Sequence, residues 1–172
     1  RCARPFVLHQ SERKRFVVVF GSRTFDDGRK VLKDCLPVLE KYGVKSVFFI
    51  SPGEILLGYN KAEASREPLL SVDDIRELAR HPLVEFGNHT WNHVSAERVS
   101  GEVVLDEIAR TQRQIAEWTG VMPTKFSYPF GHDKPELDAP IRAMGLTPYC
   151  LKAGLIKPGE EGRARNMAYE DM

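Results

Sequence analysis

The chain has 172 residues, 42% of them hydrophobic and 28% charged, with a formal net charge of +1. A single domain of this length buries roughly 70% of the surface its unfolded form exposes and needs no disulfides to fold. Near-neutral charge excludes a general attraction to nucleic acid or anionic membrane. No stretch reaches the ~18 consecutive apolar residues of a membrane span, and no apolar signal core stands at the start of the chain. The three cysteines, Cys2, Cys35 and Cys150, lack metal-type spacing; they are expected to be buried as small apolar side chains, with at least one outside any intrachain disulfide.

In chain order, Phe16-Val17-Val18-Val19-Phe20 is the first apolar run and reads as a buried strand. A helical stretch is expected after Gly28, divided by Pro37, which a helix interior does not tolerate well, and stopped at Gly43. Val44 to Ile50 is a second strand, too continuously apolar for a sheet with one wet face. Residues 51–67 are mixed in character and read as a loop. Ser71 and Asp74 have the spacing of a capping box opening a helix that runs to about Arg80. Leu83 to Phe86 is a third strand.

Val104, Leu105, Ile108, Ile115 and Trp118 recur mainly at helical spacing, with Gly120 and Pro123 marking the stop. Lys125 to Pro129 and Tyr149 to Leu151 are further strands, with a short helix from Asp138 to Met144 between them. Alternating strands and helices imply parallel strands with helical crossovers, either an incomplete or distorted (β/α) barrel or an open α/β sheet. No repeat or linker divides the chain, so it reads as one domain over residues 1–172, with residues 157–172 as a loosely packed tail.

His89 and His93 are four residues apart. On a helical turn their imidazoles would share one face and could meet one cation, zinc foremost, with cobalt or nickel also suited to imidazole. A third ligand and a base must come from elsewhere. Asp26 and Asp27 follow the first strand at its carboxyl end, where α/β folds place their chemistry. Neighbours on an extended backbone point in opposite directions, so one carboxylate could bind metal while the other addresses a water. Each motif alone also has a plain structural reading: two helix histidines, and an Asp-Asp-Gly turn or cap.

Together the motifs resemble the NodB-like polysaccharide deacetylases, carbohydrate esterase family 4. The resemblance rests on Thr24-Phe25-Asp26-Asp27-Gly28, on Leu36 to Lys45 leading into Phe48-Phe49-Ile50, on Gly87-Asn88-His89-Thr90-Trp91-Asn92-His93, and on Phe126-Ser127-Tyr128-Pro129-Phe130-Gly131. It runs from about residue 16 to 151 and implies a distorted, incomplete (β/α) barrel of the α/β class. It further implies one divalent metal ion held by Asp27, His89 and His93, with Asp26 as the base that activates water at the metal and the backbone N–H of Phe130 as oxyanion donor. The implied reaction is hydrolysis of N-acetyl groups on a polymeric amino sugar, by an enzyme of the secreted or cell-envelope kind.

Three departures from the family pattern stand out. Ser127 occupies the place of an Arg that normally orients the base, and Ser127-Tyr128-Pro129-Phe130 is most similar to the poly-N-acetylglucosamine deacetylase branch. The fourth and fifth motifs, with their hydrophobic wall and general-acid histidine, have no match after Leu151. Gly21-Ser22-Arg23 interrupts the join between the first strand and Thr24, implying a bulge or a longer loop.

Weaker candidates surround this set. Thr90 matches a loop-supporting position, and Trp91 and Tyr128 are either sugar-stacking or packing residues. His132 is either an acid for the leaving amine or an exposed loop histidine beside Asp133. His9 and His81 read as surface or boundary residues, and Arg163, Arg165 and Asn166 as a solvated tail. Two other functions fit the same motifs: a deacylase of a small non-sugar amide, and a non-catalytic carbohydrate-binding domain that keeps the metal.

Overall fold

The computed structural model of the protein describes residues 23–58, 68–152 and 163–164. Six parallel strands form one sheet in chain order. They are β1 (Arg23–Phe25), β2 (Ser46–Ile50), β3 (Val84–Asn88), β4 (Lys125–Ser127), β5 (Thr147–Lys152) and β6 (Arg163–Ala164). Helices α1 (Val31–Tyr42), α2 (Pro52–Leu57), α3 (Val72–Leu78), α4 (Gly101–Thr119) and α5 (Asp138–Ala143) fill the crossovers. Among the described residues β1 pairs only with β2 and β6 only with β5, so the sheet curls without closing, an incomplete (β/α) barrel.

All five residues of β2 are buried, as its unbroken apolar run requires. Phe25, Phe48 and Phe86 occupy one rung of β1, β2 and β3, and their rings meet edge to face at 5.4 and 5.9 Å. On the next rung Phe49 lies opposite Gly87. A Cβ at Gly87 would stand 2.4 Å from the Phe49 ring, so only glycine leaves room for that aromatic. Leu32, Leu39, Ile75, Leu78, Ile115 and Trp118 complete this core. Ile108, Phe126, Tyr128, Leu137, Ile141 and Leu146 form a second cluster under β4 and β5.

The capping box is present: Ser71 Oγ accepts from Asp74 N while the Asp74 carboxylate accepts from Ser71 N at 3.0 Å. Lys33 reaches across from α1 to Asp74 at 2.8 Å and Glu77 at 2.7 Å. Gly43 and Gly120 close α1 and α4 in the left-handed conformation.

Several expectations need correction. Pro37 does not divide α1, which is continuous over 12 residues. Its ring is on the exposed side of the helix, where water can satisfy the carbonyl that loses its donor, while Leu32, Cys35 and Leu39 hold the opposite face in the core. The stretch after Ile50 is not all loop: Pro52 starts α2, being suited to a first helical turn. Arg23 is a strand residue of β1, which leads into Asp26, while Gly21 and Ser22, the rest of the expected interruption, lie outside the described residues. Within the expected loose tail, Arg163–Ala164 pairs with β5 as β6.

Cys35 is disulfide-bonded rather than a free thiol, and Cys150 is the free, buried one among the described residues. The strand over residues 16–20, His9, Arg165 and Asn166 lie outside the described residues. His81 sits at the boundary, with Nε2 3.0 Å from Glu40.

Candidate metal centre

The carboxyl ends of β1, β3 and β4 converge, and each delivers part of one site. Phe25 pairs with Phe48, Ile50 with Asn88, and Asn88 with Phe126. The residues that follow these rungs are therefore brought to one edge of the sheet: Asp26 and Asp27 after β1, His89 and His93 after β3, and Phe130 shortly after β4.

Ligand atoms of Asp27, His89 and His93 all lie within 4.8 Å of one another. Asp27 Oδ1 is 3.5 Å from His89 Nε2 and 3.1 Å from His93 Nε2. Both imidazoles are almost fully buried, at 1% and 3% side-chain exposure, and the carboxylate at 13%. Burial opposes ionisation of Asp27, but hydrogen bonds from the two histidines, and then their charges, outweigh it and hold the carboxyl well below the usual carboxylate range. Burial likewise disfavours a charged His89, yet Asp26 and then Asp27 push its pKa upward.

These residues fit a divalent cation. His89 Nδ1 donates to the Ser127 carbonyl at 2.7 Å, which turns the lone pair of Nε2 toward Asp27. A carboxylate oxygen and the His89 lone pair then face one another beside His93 in a largely buried site, and a cation is a partner that makes converging acceptors compatible. Two histidines and one carboxylate are the ligand count of an open, catalytic type of site.

The histidines do not converge through a helical turn, as their spacing led us to expect. Residues 89–93 form a loop. Thr90 at φ 62° and His93 at φ 53° are left-handed, and so are Asp27 at φ 70° and Phe130 at φ 60°. These four are the non-glycine residues of positive φ among those described. The cost is of order 1–3 kcal/mol each, so the surroundings must enforce the geometry. Thr90 Oγ1 accepts from Val94 N at 3.0 Å and Asn88 Oδ1 accepts from Thr90 N at 3.1 Å, while Asn88 Nδ2 donates to Ile108 in α4. Asn92 makes two hydrogen bonds to Glu107. Ser51 Oγ donates to the His89 carbonyl and Gly53 N to the Trp91 carbonyl, tying the loop to the start of α2.

Trp91 is buried beneath the guanidinium of Arg110, 3.7 Å from its ring centroid. It is a packing residue here, with no face open to a sugar. Tyr128 is likewise buried, and its hydroxyl donates to the Lys134 carbonyl at 3.1 Å. Asp26 and Asp27 do not point apart as an extended backbone would require, because Asp27 is left-handed. Asp26 Oδ2 lies 4.0 Å from the same His89 Nε2, with its side chain 26% exposed toward the opening.

Sequence reasoning missed Arg29, whose Nη2 lies 3.5 Å from Asp27 Oδ2 and leaves Oδ1 to the histidines. It also missed the polar residues that hold the rim. Ser95 Oγ lies 3.0 Å and Glu97 Oε2 3.4 Å from His132 Nδ1, and Lys134 Nζ donates to the Val99 carbonyl at 2.8 Å. No motif spacing marks these contacts, which join loops almost forty residues apart.

A family profile described as polysaccharide deacetylase matches residues 15–149. Peptidoglycan-N-acetylglucosamine deacetylase PgdA of Listeria monocytogenes is 28% identical over 110 residues, covering 63% of this chain and 21% of its own length. This chain therefore spans about a fifth of that relative. IcaB from Ammonifex degensii superposes with a TM-score of 0.69 at 25% identity, over 84% of this chain and 66% of that one. A family 4 acetyl xylan esterase from Clostridium thermocellum, solved in complex with a cobalt ion, gives a TM-score of 0.57 at 25% identity, over 74% and 56% of the two chains.

Proposed function

The chain belongs to the polysaccharide deacetylase family, and from that premise we propose that it hydrolyses N-acetyl groups on a polymeric amino sugar at a divalent-metal centre. The observation that carries this reading is the convergence of Asp27, His89 and His93 within 4.8 Å, with Asp26 beside them. Zinc, cobalt or nickel, bound by those three residues, would polarise the acetyl carbonyl and acidify a water. Asp26 accepts the proton of the attacking water. The Phe130 backbone N–H donates to the oxygen on which charge develops, a role that its side chain does not enter. Ser127 fixes the ring of His89, Arg29 steadies Asp27, and Thr90 holds the turn between the two histidines.

The sugar class rests on PgdA, whose name specifies N-acetylglucosamine in peptidoglycan. Acetate release from N-acetylglucosamine oligomers, measured with zinc-loaded protein and its Asp26→Asn variant, tests the proposal. Release by the parent and not by the variant is expected. Metal binding with no release from any acetylated oligomer would leave a carbohydrate-binding domain in its place.

A further inference from the structure

An amide nitrogen leaves poorly unless it is protonated as its bond to carbon breaks, and neither the three ligands nor the Phe130 N–H brings a proton to it. Among the described residues a group of the right chemistry stands at the rim. His132 is held by two partners on one nitrogen: Ser95 Oγ at 3.0 Å and Glu97 Oε2 at 3.4 Å, both facing Nδ1. Ser95 is 5% exposed, so this anchor is fixed, while the His132 side chain is 40% exposed. Nε2 has no hydrogen-bond partner among the described residues. A ring oriented through Nδ1 with Nε2 left over is the arrangement of an acid or base that works at Nε2.

The rim also relates His132 to the centre. The rings of His93 and Phe130 are 4.7 Å apart, and those of Phe130 and His132 are 5.8 Å apart and inclined by only 32°. Phe130 is 41% exposed, an unusual position for a large apolar ring. Its ring neighbours both the candidate ligand His93 and the imidazole of His132. Lys134 and Tyr128 pin the same segment to the 95–99 loop and to the second core cluster, so the Phe130–His132 pair is presented by a braced loop.

We propose that His132 is the proton donor to the leaving amine, a role that rests on the deacetylase reading above. A sugar seated over the Phe130 ring would have its acetyl carbonyl on the His93 side and its nitrogen on the His132 side. As water oxygen bonds to the acetyl carbon, its proton passes to Asp26. As the carbon–nitrogen bond then breaks, its electron pair stays on nitrogen, which takes the Nε2 proton of the His132 imidazolium. The products are acetate and the free amino sugar, and the proton on Asp26 returns the imidazole to its charged form through solvent. Glu97 and Ser95 are positioning residues that keep Nε2 outward.

The test varies the leaving group. Zinc-loaded parent, His132→Gln and Asp26→Asn proteins are compared on N-acetylglucosamine oligomers and on an aryl acetate, whose phenolate leaves without protonation. His132→Gln is expected to lose about 100-fold or more on the oligomers and to keep its rate on the aryl ester, while Asp26→Asn loses both. Glu97→Gln should reproduce the same selectivity in weaker form. Zinc content and thermal midpoint, measured on every variant, identify any protein that has failed to fold or load. Equal loss on both substrates, or no loss on either, by a folded and loaded His132→Gln protein overturns the assignment. A parent inactive on both substrates removes the deacetylase reading itself.

Discussion

His89 donates its Nδ1 proton to the carbonyl oxygen of Ser127 across 2.7 Å. The β4 strand, not the loop that carries the histidine, thus decides which ring nitrogen faces Asp27. The residue at 127 acts through its backbone, so this coupling does not depend on which side chain it carries. Ser127 is fully buried, and an arginine there would have to displace core atoms.

The first prediction concerns metal. Added zinc should raise the melting temperature of metal-free protein by about 5–10 °C at a concentration a hundred times the dissociation constant. Asp27→Asn, His89→Ala and His93→Ala should each abolish most of that rise, as read by calorimetry and by bound zinc. Undiminished zinc binding in any two of the three would refute the ligand set.

Backbone strain gives a second. Phe130→Gly and Phe130→Ala both remove the ring, but only glycine relieves φ 60°. The glycine variant should therefore be more stable than the alanine variant by about 1 kcal/mol in urea unfolding. The reverse order would mean that Phe130 is not left-handed in solution.

A third follows from Gly53. A Cβ there would meet Trp91 Nε1 and the Trp91 carbonyl oxygen, both at 2.6 Å. Gly53→Ala should cost about 1–3 kcal/mol of stability and weaken zinc binding, because the displaced residue lies between the two histidines. A loss of stability with unaltered zinc affinity would show that the loop absorbs the clash without moving them.

The fourth is a pH dependence remote from the metal. Hydrogen bonds from Lys33 first, then from Ser71, hold the Asp74 carboxyl well below its ordinary range. A depressed carboxyl contributes fully above its unfolded value, about pH 4, and loses that contribution as pH falls toward the lower folded value. Asp74→Asn should be less stable by about 1–2 kcal/mol at neutral pH, with the gap closing in acid. A gap independent of pH would assign the loss to packing instead.

Local chemistry was the part of the fold most legible in the sequence. Ser71 and Asp74 announce their helix because the two hydrogen bonds that open it lie within four residues. Val44 to Ile50 announces a strand covered on both faces by its composition. Pro37 misled because its cost depends on which side of α1 it faces, a tertiary fact. At the site, residue types and order were readable, but the route by which they meet was not. Aspartate, threonine, histidine and phenylalanine give no sign of left-handed backbone, and the contacts that enforce it come from Asn88, Ser51 and Glu107 on separate elements. The His132 anchor was hidden for the same reason.

The three candidate ligands hang from the ends of β1 and β3, and the site is completed from β4, with α1 to α4 lying between them in the chain. Such a centre has no local precursor: it exists only after distant strands have paired, late in the folding reaction. Metal captured there stabilises the finished structure more than the transition state, so it slows unfolding while leaving the folding rate almost unchanged. A bound cation would then set the lifetime of the fold as well as its chemistry.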